Sequence, residues 1–210
     1  MRTRIKFCGN TSVHDVVIAV ETGADAIGMI FAPSARRITE SAAKDIAAQL
    51  PPFITPVGVF VNPSYDDIAR ARAIFPDLVV QLSGTESPSF VSSLEGKLIK
   101  TVHVLPDGET EEALTRRAEQ HPRAIVLFDT KIEGLAGGTG QTFSWRSITP
   151  IARRRQVMVG GGLTPENVSN CVRAVRPFGV DVRSGIETDG RKDPVKMRAF
   201  VQAVKDTDGS

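Results

Sequence analysis

Short apolar runs alternate with segments of helical periodicity along the whole chain, eight times in all. The apolar runs are bounded by glycine, proline, serine or aspartate and predict strands at 4–8, 26–31, 56–60, 78–82, 98–104, 124–129, 156–159 and 179–183. The segments between them predict helices at 13–22, 40–50, 65–74, 88–94, 109–120, 144–153, 165–175 and 194–204. Such alternation implies parallel strands that are joined by right-handed crossovers and covered by helices.

Eight strand-and-helix units predict an α/β fold, a single-domain (β/α)8 TIM barrel with short loops. A doubly wound open sheet is the alternative, but it would have fewer strands and a nucleotide fingerprint, which the turn Gly9-Asn10-Thr11 does not provide. The barrel is expected to span residues 1–205, followed by a disordered tail at 206–210. Because 210 residues leave about 26 for each unit, substrate recognition is expected to come from the loops.

Charge and hydropathy exclude several classes of protein. The 26 Lys and Arg residues nearly balance 24 Asp and Glu residues and are scattered, which argues against a nucleic-acid partner. No apolar stretch approaches the ~18 residues that cross a bilayer, and the first residues lack the apolar block of a signal peptide. We therefore expect a soluble, cytoplasmic protein without a membrane partner.

The cysteines and histidines do not form a recognisable framework or metal site. Two cysteines are too few for a disulfide scaffold and are expected to remain thiols. His14, His103 and His121 lie in unrelated segments without metal-ligand spacing. Because the sequence also lacks a P-loop and a nucleophile elbow, we expect neither a metal nor a cofactor.

The first strand brings a cysteine to the place where a parallel barrel has its active site, the carboxyl ends of the strands. Ile5 and Phe7 must face the helices, so Lys6 and Cys8 are expected to point into the barrel. A neighbouring ammonium favours the thiolate, which would make Cys8 a base or a nucleophile. The alternative, a buried inert thiol, remains open at this point, whereas Cys171 is expected to pack inside a helix.

The sixth strand ends in a carboxylate after five apolar residues, at Asp129. An acid in this position is a proton donor if burial raises its pKa, or it is the cap of the next turn. The residues alone favour the cap slightly.

Glycine-rich segments near the end of the chain predict a phosphate site. Residues 160–167 and 184–187 allow backbone N–H groups to approach an anion, and loops after strands seven and eight often bind phosphate in this fold.

The segment 134–141 is interpreted as a mobile lid. Arg36 and Arg37, after the second strand, either bind a carboxylate over the mouth or are ordinary surface arginines.

In order, these segments resemble the phosphoribosylanthranilate isomerases, (β/α)8 enzymes of tryptophan biosynthesis, from residue 6 to about residue 200. The most specific matching stretches are Lys6-Phe7-Cys8-Gly9, Gly137-Gly138-Thr139-Gly140 and Ser184-Gly185-Ile186-Glu187. The resemblance implies an Amadori rearrangement, in which N-(5-phosphoribosyl)anthranilate becomes 1-(2-carboxyphenylamino)-1-deoxyribulose 5-phosphate. A general acid opens the ribose ring, and a general base then removes the C2 proton of the Schiff base.

The resemblance also implies roles for individual residues. Asp129 is the acid, Cys8 the base and Arg36 the ligand of the anthranilate carboxylate. The remaining substrate-binding positions that it implies are Lys6, Gln81, Gly138, Thr139 and Asp181, with the phosphate on the backbone of Gly161, Gly162, Ser184 and Gly185.

This chain departs from the family pattern at three positions. Ser83 stands where the family usually has His, Ala35 where it has Pro, and Arg183 where it has a small residue. Arg183 either pairs with Asp181 or extends towards the phosphate. Ser83 and Arg183 keep open an isomerase with a different or additional aldosylamine phosphate. The glycine loops would also suit a non-catalytic sugar-phosphate-binding barrel, against which Cys8 and Asp129 argue. The expected partner is the small phosphoribosyl substrate, and the protein is expected to be a monomer or a homodimer.

Overall fold

Eight parallel strands close into a barrel in the computed structural model, which describes residues 2–105, 108–130 and 142–209. Each strand pairs with the next in the chain, and the eighth pairs with the first. The strands are β1 (Arg4–Phe7), β2 (Ala26–Ile30), β3 (Thr55–Phe60), β4 (Val79–Leu82), β5 (Leu98–Val104), β6 (Ile125–Thr130), β7 (Val157–Val159) and β8 (Gly179–Val182). The predicted (β/α)8 barrel is therefore confirmed.

Eight helices follow the strands in turn: α1 (Val13–Thr22), α2 (Glu40–Gln49), α3 (Tyr65–Ile74), α4 (Pro88–Ser93), α5 (Glu111–Glu119), α6 (Thr149–Arg154), α7 (Val168–Val175) and α8 (Pro194–Asp208). Side-chain caps explain several helix starts. The Ser12 hydroxyl accepts from the Asp15 N–H, and the Asp15 carboxylate accepts from the Ser12 N–H, which fixes the start of α1. None of the helices in the described ranges is long and apolar enough to span a bilayer.

The period-two alternation of the strands separates two apolar regions. One face packs against the helices, as in the contact between Phe7 of β1 and Phe200 of α8, whose ring centroids lie 6.2 Å apart. The other face fills the lower barrel with a layer of apolar side chains: Val57, Val79, Ile99, Leu127 and Met158. Polar side chains lie above this layer, at the carboxyl ends of the strands.

The chain beyond β8 differs from the sequence prediction. A short hairpin, β9 (Glu187–Thr188) and β10 (Arg191–Lys192), precedes α8 and was not predicted. Residues 206–208, which were predicted to be disordered, belong to α8, which continues to Asp208, whereas residue 210 lies outside the described residues. The Asp208 carboxylate accepts bonds of 2.6 and 2.8 Å from the backbone N–H and the hydroxyl of Thr3, so the last turn is anchored beside β1.

Three predicted helices begin later than expected, among them the one predicted at 109–120, which begins at Glu111. The helix predicted at 165–175 starts at Val168, since Thr164 and Asn167 first form a turn in which the Thr164 N–H donates to the Asn167 side chain over 2.9 Å. The helix predicted at 144–153 is divided into a 3-10 turn (Trp145–Ser147) and α6.

Candidate active site

A buried ion pair connects the first and last strands at the barrel mouth. Lys6 of β1 lies opposite Asp181 of β8 in the strand register, and its Nζ donates to Asp181 Oδ1 over 2.7 Å. The Lys6 side chain is only 1% exposed. Burial alone would lower the pKa of Lys6, but the charge of Asp181 and the nearby Cys8 together raise it. The ammonium therefore stays charged inside the barrel.

Cys8 lies beside this ammonium, directly after β1. A Cβ at Gly28 of β2 would come within 2.9 Å of Cys8 Sγ and 3.0 Å of Lys6 Nζ, so the glycine makes room for both groups. Burial raises the pKa of the Cys8 thiol, whereas the charges of Lys6 and Lys192 lower it, and the net pKa is raised. The prediction that the ammonium favours the thiolate names the right cation, but burial has the larger effect.

Asp129 lies near the end of β6, and its carboxyl is also accommodated by a glycine. A Cβ at Gly161 would fall 2.6 Å from Asp129 Oδ1 and 2.3 Å from the Thr130 backbone nitrogen. Burial and then the charge of Asp181 raise the pKa of Asp129 to about 7, against the opposing charges of Arg183 and Lys6. A carboxyl with this pKa is about half protonated near neutral pH and is suited to proton donation.

The two glycine-rich segments predicted to bind phosphate lie against each other. A Cβ at Gly185 would fall 1.9 Å from the Leu163 carbonyl oxygen, so only glycine allows this approach. Gly161 and Gly162 have φ values of 79° and 66°, in the region that favours glycine. The loops after β7 and β8 thus present adjacent stretches of backbone at the mouth, a common arrangement for phosphate binding in barrels.

Glu187, to which the sequence assigned no role in the site, holds Arg36 at the mouth and also binds Lys192. Arg36 Nη2 donates to Glu187 Oε2 over 2.5 Å, and Lys192 Nζ donates to Glu187 Oε1 over 3.0 Å. Lys192 Nζ also donates to the carbonyl of Cys8 over 2.6 Å. The Ser184–Glu187 motif predicted an anion site because of its glycine, and its acid, Glu187, could have indicated a partner for Arg36.

A polar cluster lines the opposite side of the mouth, around Gln81 and Ser83. Ser83 Oγ and Thr101 Oγ1 lie 2.8 Å apart, and His103 Nε2 lies 2.9 Å from the Ser83 carbonyl oxygen. Since a carbonyl can only accept, His103 Nε2 carries the proton. Among the described residues none pairs with the buried Oε1 of Gln81, which leaves an acceptor for a ligand hydroxyl or N–H.

Three further predictions have different outcomes. Gly138 and Thr139, with the rest of the lid segment 134–141, lie outside the described residues. Cys171 is buried in α7, and burial raises its pKa to about 12, as expected of a packing thiol. The Arg183 stem passes the mouth beside Arg36, since a Cβ at Gly9 would lie 3.2 Å from carbons of both side chains.

Comparisons with known proteins identify the family of this chain. The family model of N-(5'-phosphoribosyl)anthranilate isomerase matches residues 5–203. The isomerase of Leptothrix cholodnii is 43% identical over 210 residues, covering 99% of this chain and 93% of the relative.

Solved structures of such isomerases have the same fold. The phosphoribosyl anthranilate isomerase of Thermotoga maritima aligns with a TM-score of 0.87 at 37% identity, over 97% of this chain and 99% of the other. A second solved isomerase, in complex with reduced 1-(o-carboxyphenylamino)-1-deoxyribulose 5-phosphate, aligns with a TM-score of 0.84 at 35% identity over the same shares of the two chains, 97% and 99%. This chain therefore belongs to the N-(5'-phosphoribosyl)anthranilate isomerase family.

Proposed function

We propose that this protein isomerises N-(5-phosphoribosyl)anthranilate to 1-(2-carboxyphenylamino)-1-deoxyribulose 5-phosphate, a step of tryptophan biosynthesis. Family membership supports this activity, as does the related isomerase solved with the reduced form of that product. The observation that carries the proposal is a carboxyl with a pKa of about 7 at the same barrel mouth as a thiol flanked by two ammonium groups. An aldose-to-ketose rearrangement needs such an acid and such a base.

In this mechanism Asp129 is the general acid. Its protonated carboxyl donates to the ribose ring oxygen while the bond from that oxygen to C1 breaks and the nitrogen lone pair forms a C1=N bond, which leaves a protonated Schiff base between C1 and the anthranilate nitrogen. The raised pKa keeps a substantial fraction of the carboxyl protonated near neutral pH, which an ordinary aspartate would not do.

Cys8 is the general base. Its thiolate removes the C2 proton of the Schiff base, and the electrons of that C–H bond form the enolamine, which then tautomerises to the ketone. Lys6 and Lys192 place two positive charges near the sulfur and stabilise the thiolate against the cost of burial. Every step is a proton transfer, so the scheme uses no cofactor.

The two pKa values imply that little of the free enzyme has the active protonation state. The pKa of Asp129 is about 7, while that of Cys8 lies above its usual value of 9.0. Because the carboxyl then loses its proton at a lower pH than the thiol, the form with a protonated carboxyl and a thiolate is a minor fraction of the free enzyme. Turnover therefore depends on the cations that oppose the burial of Cys8.

Substrate binding uses the remaining residues around the mouth. Arg36 binds the anthranilate carboxylate, and the phosphate lies on the backbone at Gly161, Gly162, Ser184 and Gly185. The other assigned contacts come from Lys6, Gln81 and Asp181, together with Gly138 and Thr139 outside the described residues. Arg183 extends either to Asp181 or towards this phosphate.

The direct test is the decay of phosphoribosylanthranilate fluorescence on addition of enzyme. We expect turnover by the wild type, none by Cys8→Ala or Asp129→Asn, and full turnover by Cys171→Ala, the control for the other cysteine. Normal activity of either site variant would refute its assigned role. If the protein is a non-catalytic barrel, no turnover is observed at all. Ser83 and Arg183 also suggest an isomerase with a broader substrate range. A parallel assay with the aminoimidazole aldosylamine of histidine biosynthesis tests that alternative.

Two coarser expectations complete the proposal. A cytoplasmic location is expected from the sequence, and cell fractionation would test it. The choice between monomer and homodimer is decided by light scattering, which would give about 22.6 kDa for the single chain or twice that mass.

A further inference from the structure

A buried group of alternating charges lies beside the proposed base, formed by Arg36, Glu187 and Lys192. The side chains of Glu187 and Lys192 are only 5% and 3% exposed. Buried charges persist where each has a close partner, and here one carboxylate serves two cations, one through each of its oxygens. Lys192 of this group also stabilises the Cys8 thiolate, but Glu187 has no role in the proton transfers described above.

We propose that Glu187 is a positioning residue, which holds Arg36 in place to receive the substrate carboxylate and holds Lys192 against the backbone of Cys8. The inference rests on the proposed function, since it assigns Arg36 to the anthranilate carboxylate. The new part of the proposal is that Glu187 fixes the place where the substrate carboxylate binds.

The geometry at Arg36 leaves donors for a ligand. A guanidinium has five N–H donors. The bonds to Glu187 Oε2 and to the Gly190 carbonyl, of 2.5 and 3.3 Å, both start from Nη2. Among the contacts of the described residues, the Nε–H and both Nη1–H groups therefore remain for the substrate. An arginine anchored through one nitrogen is oriented before the ligand arrives, which reduces the entropy lost on binding.

The hairpin β9–β10 fixes Glu187 itself. Glu187 and Lys192 are register partners in this hairpin, and Lys196 Nζ of α8 donates to the Glu187 carbonyl over 2.8 Å. On the other side, Lys192 Nζ donates to the carbonyls of Cys8 and Arg183 over 2.6 and 3.4 Å. One carboxylate therefore couples the loop after β2, the loop after β8 and the end of β1.

The charges of this group distinguish two effects on the substrate carboxylate, the position of Arg36 and the overall electrostatic attraction. In the wild type the group carries two positive charges and one negative charge. Burial lowers the pKa of Lys192, and Glu187 is the strongest influence that opposes this. In Glu187→Gln the group loses its negative charge, so simple attraction would leave carboxylate binding unchanged or strengthen it, whereas loss of the ionic anchor of Arg36 would weaken it. Weaker carboxylate binding would then report on the position of Arg36.

Two reduced product analogues test the proposal, one made from anthranilate and one from aniline, which lacks the carboxylate. Calorimetry should show that Glu187→Gln weakens the anthranilate analogue about tenfold, the usual effect of a lost charged hydrogen bond, and the aniline analogue less than about twofold. Once Arg36→Met has removed the guanidinium, adding Glu187→Gln should change the anthranilate affinity by less than about twofold. The exposed Glu21→Gln is the matched control and should leave both affinities unchanged.

Equal losses for both analogues, no loss for either, or effects that multiply in the Arg36→Met background would each overturn the proposal. If Glu187→Gln does not fold, Glu187→Asp keeps the charge and moves the oxygens, and it should show the same selective loss. Full rescue by aspartate would reduce Glu187 to a structural counter-ion and also overturn it. Wild-type protein that binds neither analogue would refute the proposed function instead.

Discussion

Asp129→Asn should stabilise the protein at neutral and alkaline pH while abolishing its activity. In the folded protein the pKa of Asp129 is about 7, whereas the unfolded carboxyl has a value near 3.8. The stability that this neutral buried carboxyl contributes is fully present below pH 3.8 and is lost as the pH rises to about 7, because only the unfolded chain ionises freely. A shift of about three units corresponds to about 4 kcal/mol of unfolding free energy, since each unit is worth about 1.4 kcal/mol.

This value is an upper limit, because the Asp129 side chain is partly accessible at the mouth. Asparagine has the shape of the neutral acid and cannot ionise, so it avoids the loss. We expect urea unfolding of both proteins between pH 4.5 and 8.5 to give a difference that grows by up to about 1.4 kcal/mol per pH unit and levels off above pH 7. Groups that titrate alike in both proteins contribute equally to the two unfolding free energies, so their contributions largely cancel in the difference. A difference that does not change with pH would refute the raised pKa and the reasoning for Asp129 as the acid.

Other predictions concern the base, the glycines and the second cysteine. A pH series of kcat/KM should rise up to about pH 7, stay level while the loss of the Asp129 proton offsets the ionisation of Cys8, and fall only above pH 9; a fall that begins at pH 7 would contradict the pKa order. Gly28→Ala should lower kcat/KM at least about a hundredfold, because its methyl group would lie 2.9 Å from Cys8 Sγ. Gly161→Ala should lower both activity and melting temperature, since its methyl group would collide with Asp129 and the backbone. Cys171→Ala should leave kcat/KM unchanged and lower the unfolding free energy by about 1 kcal/mol, because its thiol is buried away from the mouth.

The parts of the fold that follow from local periodicity were predictable from the sequence. Alternation in β1 was enough to place Lys6 inside the barrel and Phe7 against the helices, because a strand has only two faces. Glu187 and Lys192 were not found, because strands of two residues have no periodicity and the pairing depends on closure of the hairpin. The anchored end of α8 depends on a bond between Thr3 and Asp208, which no local pattern reveals.

The sequence was enough to predict which acidic and basic groups lie at the site, but not the direction in which their pKa values are shifted. A lysine two residues before a cysteine correctly indicates a favourable charge, yet the net pKa of Cys8 depends on how completely the whole barrel excludes water. The pKa of Asp129 depends on burial in the same way and is also raised by it. The sequence permitted a proton donor or a cap at Asp129, and only its burial and the nearby charge of Asp181 raise its pKa to about 7.

The Lys6–Asp181 pair acts on both groups at once. Its positive end is the largest charge effect on Cys8 and lowers the thiol pKa, while its negative end is the largest charge effect on Asp129 and raises the carboxyl pKa. The pair is therefore an oriented dipole, which moves the base and the acid towards each other on the pH scale. A buried ion pair is weak evidence of stability, since apolar side chains of the same volume often serve as well. Apolar replacements would leave the thiol harder to ionise and the carboxyl easier to ionise, so the orientation of this pair is better explained by proton transfer than by stability.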